Sequence, residues 1–190
     1  HSEGGETEAV KDCGAADGTT ITVSNLFYNT PAREKFLKTP KGEESEISTV
    51  MARFILGNLN VAFKYVADGK TIYSSYGDGL ESAMVCIYGT GIIENCYYID
   101  VEKNGLKISG YIGKPFYSKP NRTYQTFFLN GRYICNQTVA SAIGNAYAAY
   151  LMKRQYPFYV LSVSVPPETV DVNVHPNKID VRFSNNSIIY

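Results

Sequence analysis

Hydrophobic and polar positions alternate from Thr20 to Phe27 with the period of two that marks a strand, and the run ends at Tyr28-Asn29. Thr30 is placed to cap a helix with Pro31 at its first position, and Ala32, Lys35, Phe36 and Leu37 continue it. Thr39-Pro40-Lys41-Gly42 is read as the break after that helix. Ile47, Val50, Met51, Phe54 and Ile55 then recur at helical spacing, which predicts an amphipathic helix ending near Gly57-Asn58. Val61, Phe63 and Tyr65 alternate again, Asp68-Gly69 turns the chain, and Ile72-Tyr73 pairs back as a hairpin.

Beyond this hairpin the pattern predicts a second unit. Leu80, Ala83, Met84, Ile87 and Tyr88 form a short helix, and strands from Cys96 to Val101 and Leu106 to Ile112 flank the hairpin signal Asn104-Gly105. A basic, proline-containing loop runs from Lys114 to Arg122. Tyr124–Leu129 and Arg132–Cys135 read as strands around Asn130-Gly131. Asn136 caps a helix whose apolar stripe, from Val139 to Leu151, predicts that it extends to Lys153-Arg154, where cations favour the helix dipole. Strands at Phe158–Val165, Thr169–Val174 and Ile179–Phe183 close the chain, so the fold class is α+β.

Composition narrows the function classes. The 190 residues carry 18 Lys plus Arg against 18 Asp plus Glu, so no overall field draws the chain to nucleic acid or to an anionic membrane, and any such binding needs a local patch. The four cysteines, Cys13, Cys86, Cys96 and Cys135, form no CxxC and lie far from both histidines, so no metal site and no disulfide framework is expected. A reducing cytoplasm fits this usage. No apolar run approaches the roughly 20 residues of a membrane span. No aromatic platform interleaved with lysines is evident, so stacking recognition of single strands is not expected.

The segment from Val170 to Lys178, VDVNVHPNK, is the richest in chemistry. Strand alternation puts Val170, Val172 and Val174 on one face and Asp171, Asn173 and His175 on the other, while Pro176-Asn177 ends the strand and presents Lys178. By pattern alone, a half-solvated strand with an ordinary surface lysine fits better than a functional loop. Longer strings shift that balance. Gly18-Thr19, Leu26 to Arg33 (LFYNTPAR) with Lys35-Phe36-Leu37, Asn130-Gly131-Arg132, and Asp171 to Lys178 with Val181-Arg182-Phe183 closely resemble the MutL family of DNA mismatch repair proteins, in that family's order and spacing.

The resemblance implies the end of an ATP-binding domain of the gyrase, heat-shock-90, histidine kinase and MutL (GHKL) superfamily, an α/β sandwich, over residues 1–66. A transducer domain of the ribosomal S5 second-domain fold would follow over residues 67–190. The catalytic Glu helix, the Asp-Gly-x-Gly motif and the Gly-rich lid would precede Gly18, so this stretch alone is not expected to hydrolyse ATP, and the Mg ligand is expected upstream. Thr19 corresponds to a threonine beside the adenine pocket, although the bare pattern favours a plain strand-start residue there. Lys178 corresponds to the lysine that reaches the terminal phosphate of ATP, with the part in catalysis that this contact implies. Lys35 and Arg53 match basic positions implicated in DNA contact. The partners implied are duplex DNA, the mismatch-recognition protein MutS and a second copy of the protein. A nicking endonuclease domain, present in many relatives, lies outside this chain. The competing readings are the transducer region of another GHKL ATPase, such as a type II topoisomerase, and a noncatalytic S5-like module that binds RNA without responding to ATP.

Overall fold

The computed structural model describes residues 2–9, 12, 14, 16–103, 105–171 and 179–183. The chain divides into two compact units, His1–Glu46 and Ile47–Tyr190. The sequence boundary at 66/67 falls inside the second of these. The side chains that place it there are Ile55 and Leu56, which are buried in one cluster with Met84, Phe128 and Phe158.

In the first unit, β1 (Ser2–Glu3) and β2 (Glu6–Thr7) form a minimal antiparallel hairpin. The strand expected at Thr20–Phe27 is not formed: residues 19–25 are irregular, with Ile21 81% and Val23 69% exposed. A strand exists only where a neighbour accepts its backbone hydrogen bonds, and the described residues of this unit offer it none. Helix α1 (Pro31–Glu34) has proline at its first position as expected but is only one turn long. Helix α2 (Pro40–Gly57) starts at the residues read as a break. Thr39 and Pro40 are its start signal: Thr39 Oγ1 accepts from Gly42 N at 3.2 Å, satisfying a first-turn amide, and Glu43 Oε1 accepts from Lys38 N at 2.7 Å, tying the helix to the residue that leads into it.

The second unit is built on a five-stranded sheet. Strands β3 (Phe63–Ala67) and β4 (Lys70–Ser75) make the expected hairpin beside it, and α3 (Leu80–Tyr88) follows. Strands β5 (Cys96–Lys103) and β6 (Leu106–Gly113) pair antiparallel, with Gly105 at φ 77 in their turn. Then come β7 (Gln125–Leu129), β8 (Arg132–Tyr133), α4 (Gln137–Ala146) and β9 (Tyr159–Ser164), giving the order β5-β6-β9-β7-β8 with β7 and β9 parallel. A parallel neighbour needs a crossover, and α4 supplies it.

Alternation along the strands divides the core. Phe128, Val160 and Tyr111 face α3 and the end of α2, while Phe127, Leu129, Leu161 and Val163 face α4 through Val139. Helix α4 ends at Ala146, short of the predicted Lys153-Arg154. Gly144 and Asn145 are weak helix formers, and Tyr147 turns inward so that its hydroxyl donates to Gly113 O at 2.5 Å. The final pair is β10 (Val170–Asp171) with β11 (Arg182–Phe183), where longer strands were predicted; residues 172–178 lie outside the described set.

Candidate nucleotide and nucleic-acid sites

Lys178, with Asn173 and His175, lies outside the described residues, but the two ends of its segment are described and held. Asp171 and Val170 pair with Arg182 and Phe183. On the return side, Cys135 N donates to Ile179 O at 2.6 Å. Asn136 then does three jobs at once. Its Oδ1 accepts from Val139 N at 3.1 Å, capping α4 as the sequence predicts, while its Nδ2 donates to Asp180 Oδ1 and to Val181 O, both at 2.9 Å. Val181 and Phe183 are buried in the α4-side core, so the stem of the segment is part of the sheet's packing.

The Asn130-Gly131-Arg132 motif provides a second clamp. Asn130 and Gly131 both have positive φ, 47 and 77, the geometry a two-residue hairpin turn requires. The Asn130 amide brackets the Val165 backbone, accepting from Val165 N at 2.9 Å and donating to Val165 O at 3.1 Å. It thus fixes the chain immediately before Pro166 and Pro167, at the entry to β10.

Thr19 is exposed in the irregular segment of the first unit, and Lys35 is exposed directly after α1. Their neighbour Lys38 pairs with Glu46 at 2.7 Å, which raises its pKa through that hydrogen bond. Arg53 belongs to the second unit, where its guanidinium sits 4.2 Å from the Tyr133 ring centroid. Cavities of about 290 and 300 Å³ open beside it, the first walled by Tyr73, Tyr88, Tyr124 and Thr126, the second by Val50, Phe54 and Phe128. Burial pushes the Tyr88 phenol up to about 12, with its contact to Thr126 Oγ1 opposing the shift, and burial raises Tyr133 against the pull of Arg53. Among the described residues no group of three or more His, Cys, Asp or Glu side chains is arranged to hold a metal ion.

A set of cation–ring contacts that the sequence reading did not anticipate lies on and beside the connection between β6 and β7. Lys119 Nζ lies 3.6 Å from the Tyr117 centroid and 5.0 Å from that of Tyr124, Lys114 lies 5.3 Å from Tyr97, and Arg122 lies 5.2 Å from Tyr156. Tyr97 comes from β5 and Tyr156 from the turn before β9, so a linear scan misses half of it. A signal was nevertheless present in the sequence: from Lys103 to Pro167 there are eight Lys or Arg and no Asp or Glu.

The fold of this chain is that of MutL-type ATPase regions. It superposes with a TM-score of 0.72 on the crystal structure of the N-terminal domain of a DNA repair protein, at 22% identity, covering 87% of this chain and 56% of that one. The Aquifex aeolicus MutL ATPase domain complexed with ADP matches with a TM-score of 0.59 at 21% identity, covering 76% and 52%. These likenesses define the fold, an α+β architecture. Residues 84–190 match the family model for the DNA mismatch repair protein, C-terminal domain. MutL of Clostridium botulinum (strain ATCC 19397 / Type A) is 41% identical over 155 residues, 81% of this chain and 23% of that protein, and MutL of Clostridium tetani (strain Massachusetts / E88) is 41% identical over 152 residues, 80% and 24%. The chain belongs to the MutL family of DNA mismatch repair proteins, and it spans about a quarter of the length of these curated relatives. No helix among the described residues is long and apolar enough to cross a membrane.

Proposed function

We propose that this chain is the coupling piece of an ATP-operated clamp in DNA mismatch repair, in which Lys178 senses the γ-phosphate. The observation that carries the reading is the double anchorage of the Lys178 segment: its ends are fixed by β10–β11 pairing and by Asn136. A segment held at both ends can transmit a pull on its lysine to the sheet, whereas a free tail cannot. In this reading residues 1–66 complete the ATP-binding domain and residues 67–190 form the transducer, Thr19 borders the adenine, and the Mg ligand is supplied from upstream.

An ion pair from Lys178 to the γ-phosphate exists only while that phosphate is present, so ATP favours one arrangement and hydrolysis releases it. A hydrogen bond to a charged group contributes about 1.5–3 kcal/mol, a bias of about tenfold to a hundredfold. Lys35 and Arg53 contact duplex phosphates, giving sequence-independent, salt-sensitive binding. The Arg53 guanidinium lies 4.2 Å from the Tyr133 ring centroid. The complete protein dimerises on ATP and works with the mismatch-recognition protein MutS. In the complete protein, Lys178→Ala is expected to slow steady-state ATP turnover with its fold intact by circular dichroism. Turnover equal to that of the parent protein defeats the reading.

A further inference from the structure

The cavity of about 290 Å³ beside Arg53 lies wholly within the second unit and draws its walls from five elements. Arg53 stands on α2, Tyr73 on β4, Tyr88 on α3, Thr126 on β7 and Tyr133 on β8, with Tyr124 immediately before β7. The frame around it is packed. Leu56 in its wall and Thr126 are buried, and Tyr88 meets the fully buried Phe158 edge-on with ring centroids 5.0 Å apart.

Size, charge and polarity together restrict what this space can hold. A cavity of about 150 Å³ accommodates one benzene ring, so about 290 Å³ is enough for a fused pair of rings. Among the described residues of the lining, Arg53 is the one charged side chain, and no carboxylate joins it. The guanidinium rests 4.2 Å from the Tyr133 ring centroid, half-buried and without an acidic partner among the described residues, so a guest of opposite charge is favoured. One cation does not neutralise a polyphosphate, and a metal ion finds no carboxylate here. The Tyr88 hydroxyl meets Thr126 Oγ1 at 3.4 Å, longer than an ordinary hydroxyl hydrogen bond, so both groups keep capacity for a guest. Burial raises the pKa of Tyr73, Tyr88 and Tyr133, which keeps them as neutral phenols that donate to an anion rather than repel it.

The geometry points to a binding site for a small aromatic acid, a planar one- or two-ring molecule bearing a single carboxylate, with its rings lodged among Tyr73, Tyr88 and Tyr124 and its carboxylate received by Arg53. The site uses neither the γ-phosphate nor Lys178. Its test contains no nucleotide and no DNA, so it stands or falls separately from the clamp and from the duplex contact assigned to Arg53.

The test is isothermal titration of the 190-residue chain with naphthoate and, separately, with its neutral counterpart naphthylmethanol. The acid is expected to bind more tightly than the alcohol by about tenfold to a hundredfold, the difference that one hydrogen bond between charged groups makes. Arg53→Gln is expected to bring the acid down to the affinity of the alcohol and to leave the alcohol unchanged, a split that a general loosening of the fold does not produce. Ala52→Leu, which puts a larger side chain into the lining, is expected to weaken both. Lys70→Gln, on β4 and outside the lining, is expected to change neither. Circular dichroism confirms the fold of each variant. The proposal is overturned by the absence of naphthoate binding at millimolar concentration or by equal affinity for acid and alcohol. It is overturned equally by an Arg53→Gln variant that keeps the parent preference, an Ala52→Leu variant with parent affinity, or a loss in Lys70→Gln as large as that in Arg53→Gln.

Discussion

At the residue scale, Asn136 links a helix cap to the functional segment through one amide. Its oxygen caps α4 and its nitrogen holds Asp180 and Val181, so the two roles separate chemically. Asn136→Asp keeps the capping oxygen, loses both donor contacts and sets a carboxylate against Asp180. Asn136→Ala loses all three contacts and is expected to cost about 1–2 kcal/mol for the cap alone. In urea melts both variants are expected to be destabilised, Ala more than Asp; an Asp variant as stable as the parent removes Asn136 as the anchor. Gly110 is a second critical position. It sits in β6 at φ +134, where a Cβ would collide with Val160 O, so Gly110→Ala is expected to destabilise the sheet by several kcal/mol, well beyond the roughly 1 kcal/mol typical of point substitutions. The sequence showed Asn136 as a cap because capping is local. Its hold on Asp180, 44 positions away, was not legible because only tertiary folding brings the two together.

At the element scale, what could be read was whatever closes on itself. The β3–β4 and β5–β6 hairpins, α3 and the start of α4 follow from local turn chemistry and periodicity, and all are present. The failures are elements whose fate depends on neighbours. The Thr20–Phe27 segment has the right alternation and no strand partner among the described residues, and Thr39-Pro40 resembles a helix stop but acts as a start because the Thr39 hydroxyl reaches the first-turn amide of Gly42. The tyrosines packed between elements also set a pH response. Tyr88, Tyr111 and Tyr147 are pushed up to about 12, each first by burial, Tyr111 also by its hydrogen bond to Glu81. A phenol whose folded pKa is raised stabilises the fold fully below the unfolded value near 10 and loses that contribution as pH climbs toward 12. Thermal melts are therefore expected to be flat with respect to these groups up to about pH 10 and to fall between about 10 and 12. Tyr88→Phe is expected to reduce that fall. A melting temperature unchanged across the alkaline window contradicts the packing described for these rings.

At the scale of the whole molecule, family and fold class were legible because two long strings, LFYNTPAR and DVNVHPNK, and two shorter ones recur in order along most of the chain. Helix α2 is one continuous helix whose residues before Ile47 fall in one unit and those after Glu46 in the other. The charge segregation went unseen because net charge averages over both halves. The central claim is that ATP changes the placement of the Lys178 segment relative to the first unit, and it can be measured as a distance. Cys135 is exposed and bonded to Ile179, so a dye there reports on the segment's stem. In the complete protein, with the other accessible cysteines replaced, a second dye at Ser24→Cys completes an energy-transfer pair. A nonhydrolysable ATP analogue is predicted to change the transfer efficiency in the parent protein, while ADP, or the analogue with Lys178→Ala, leaves it at the nucleotide-free value. An efficiency that the analogue does not alter, or alters equally in Lys178→Ala, contradicts the account.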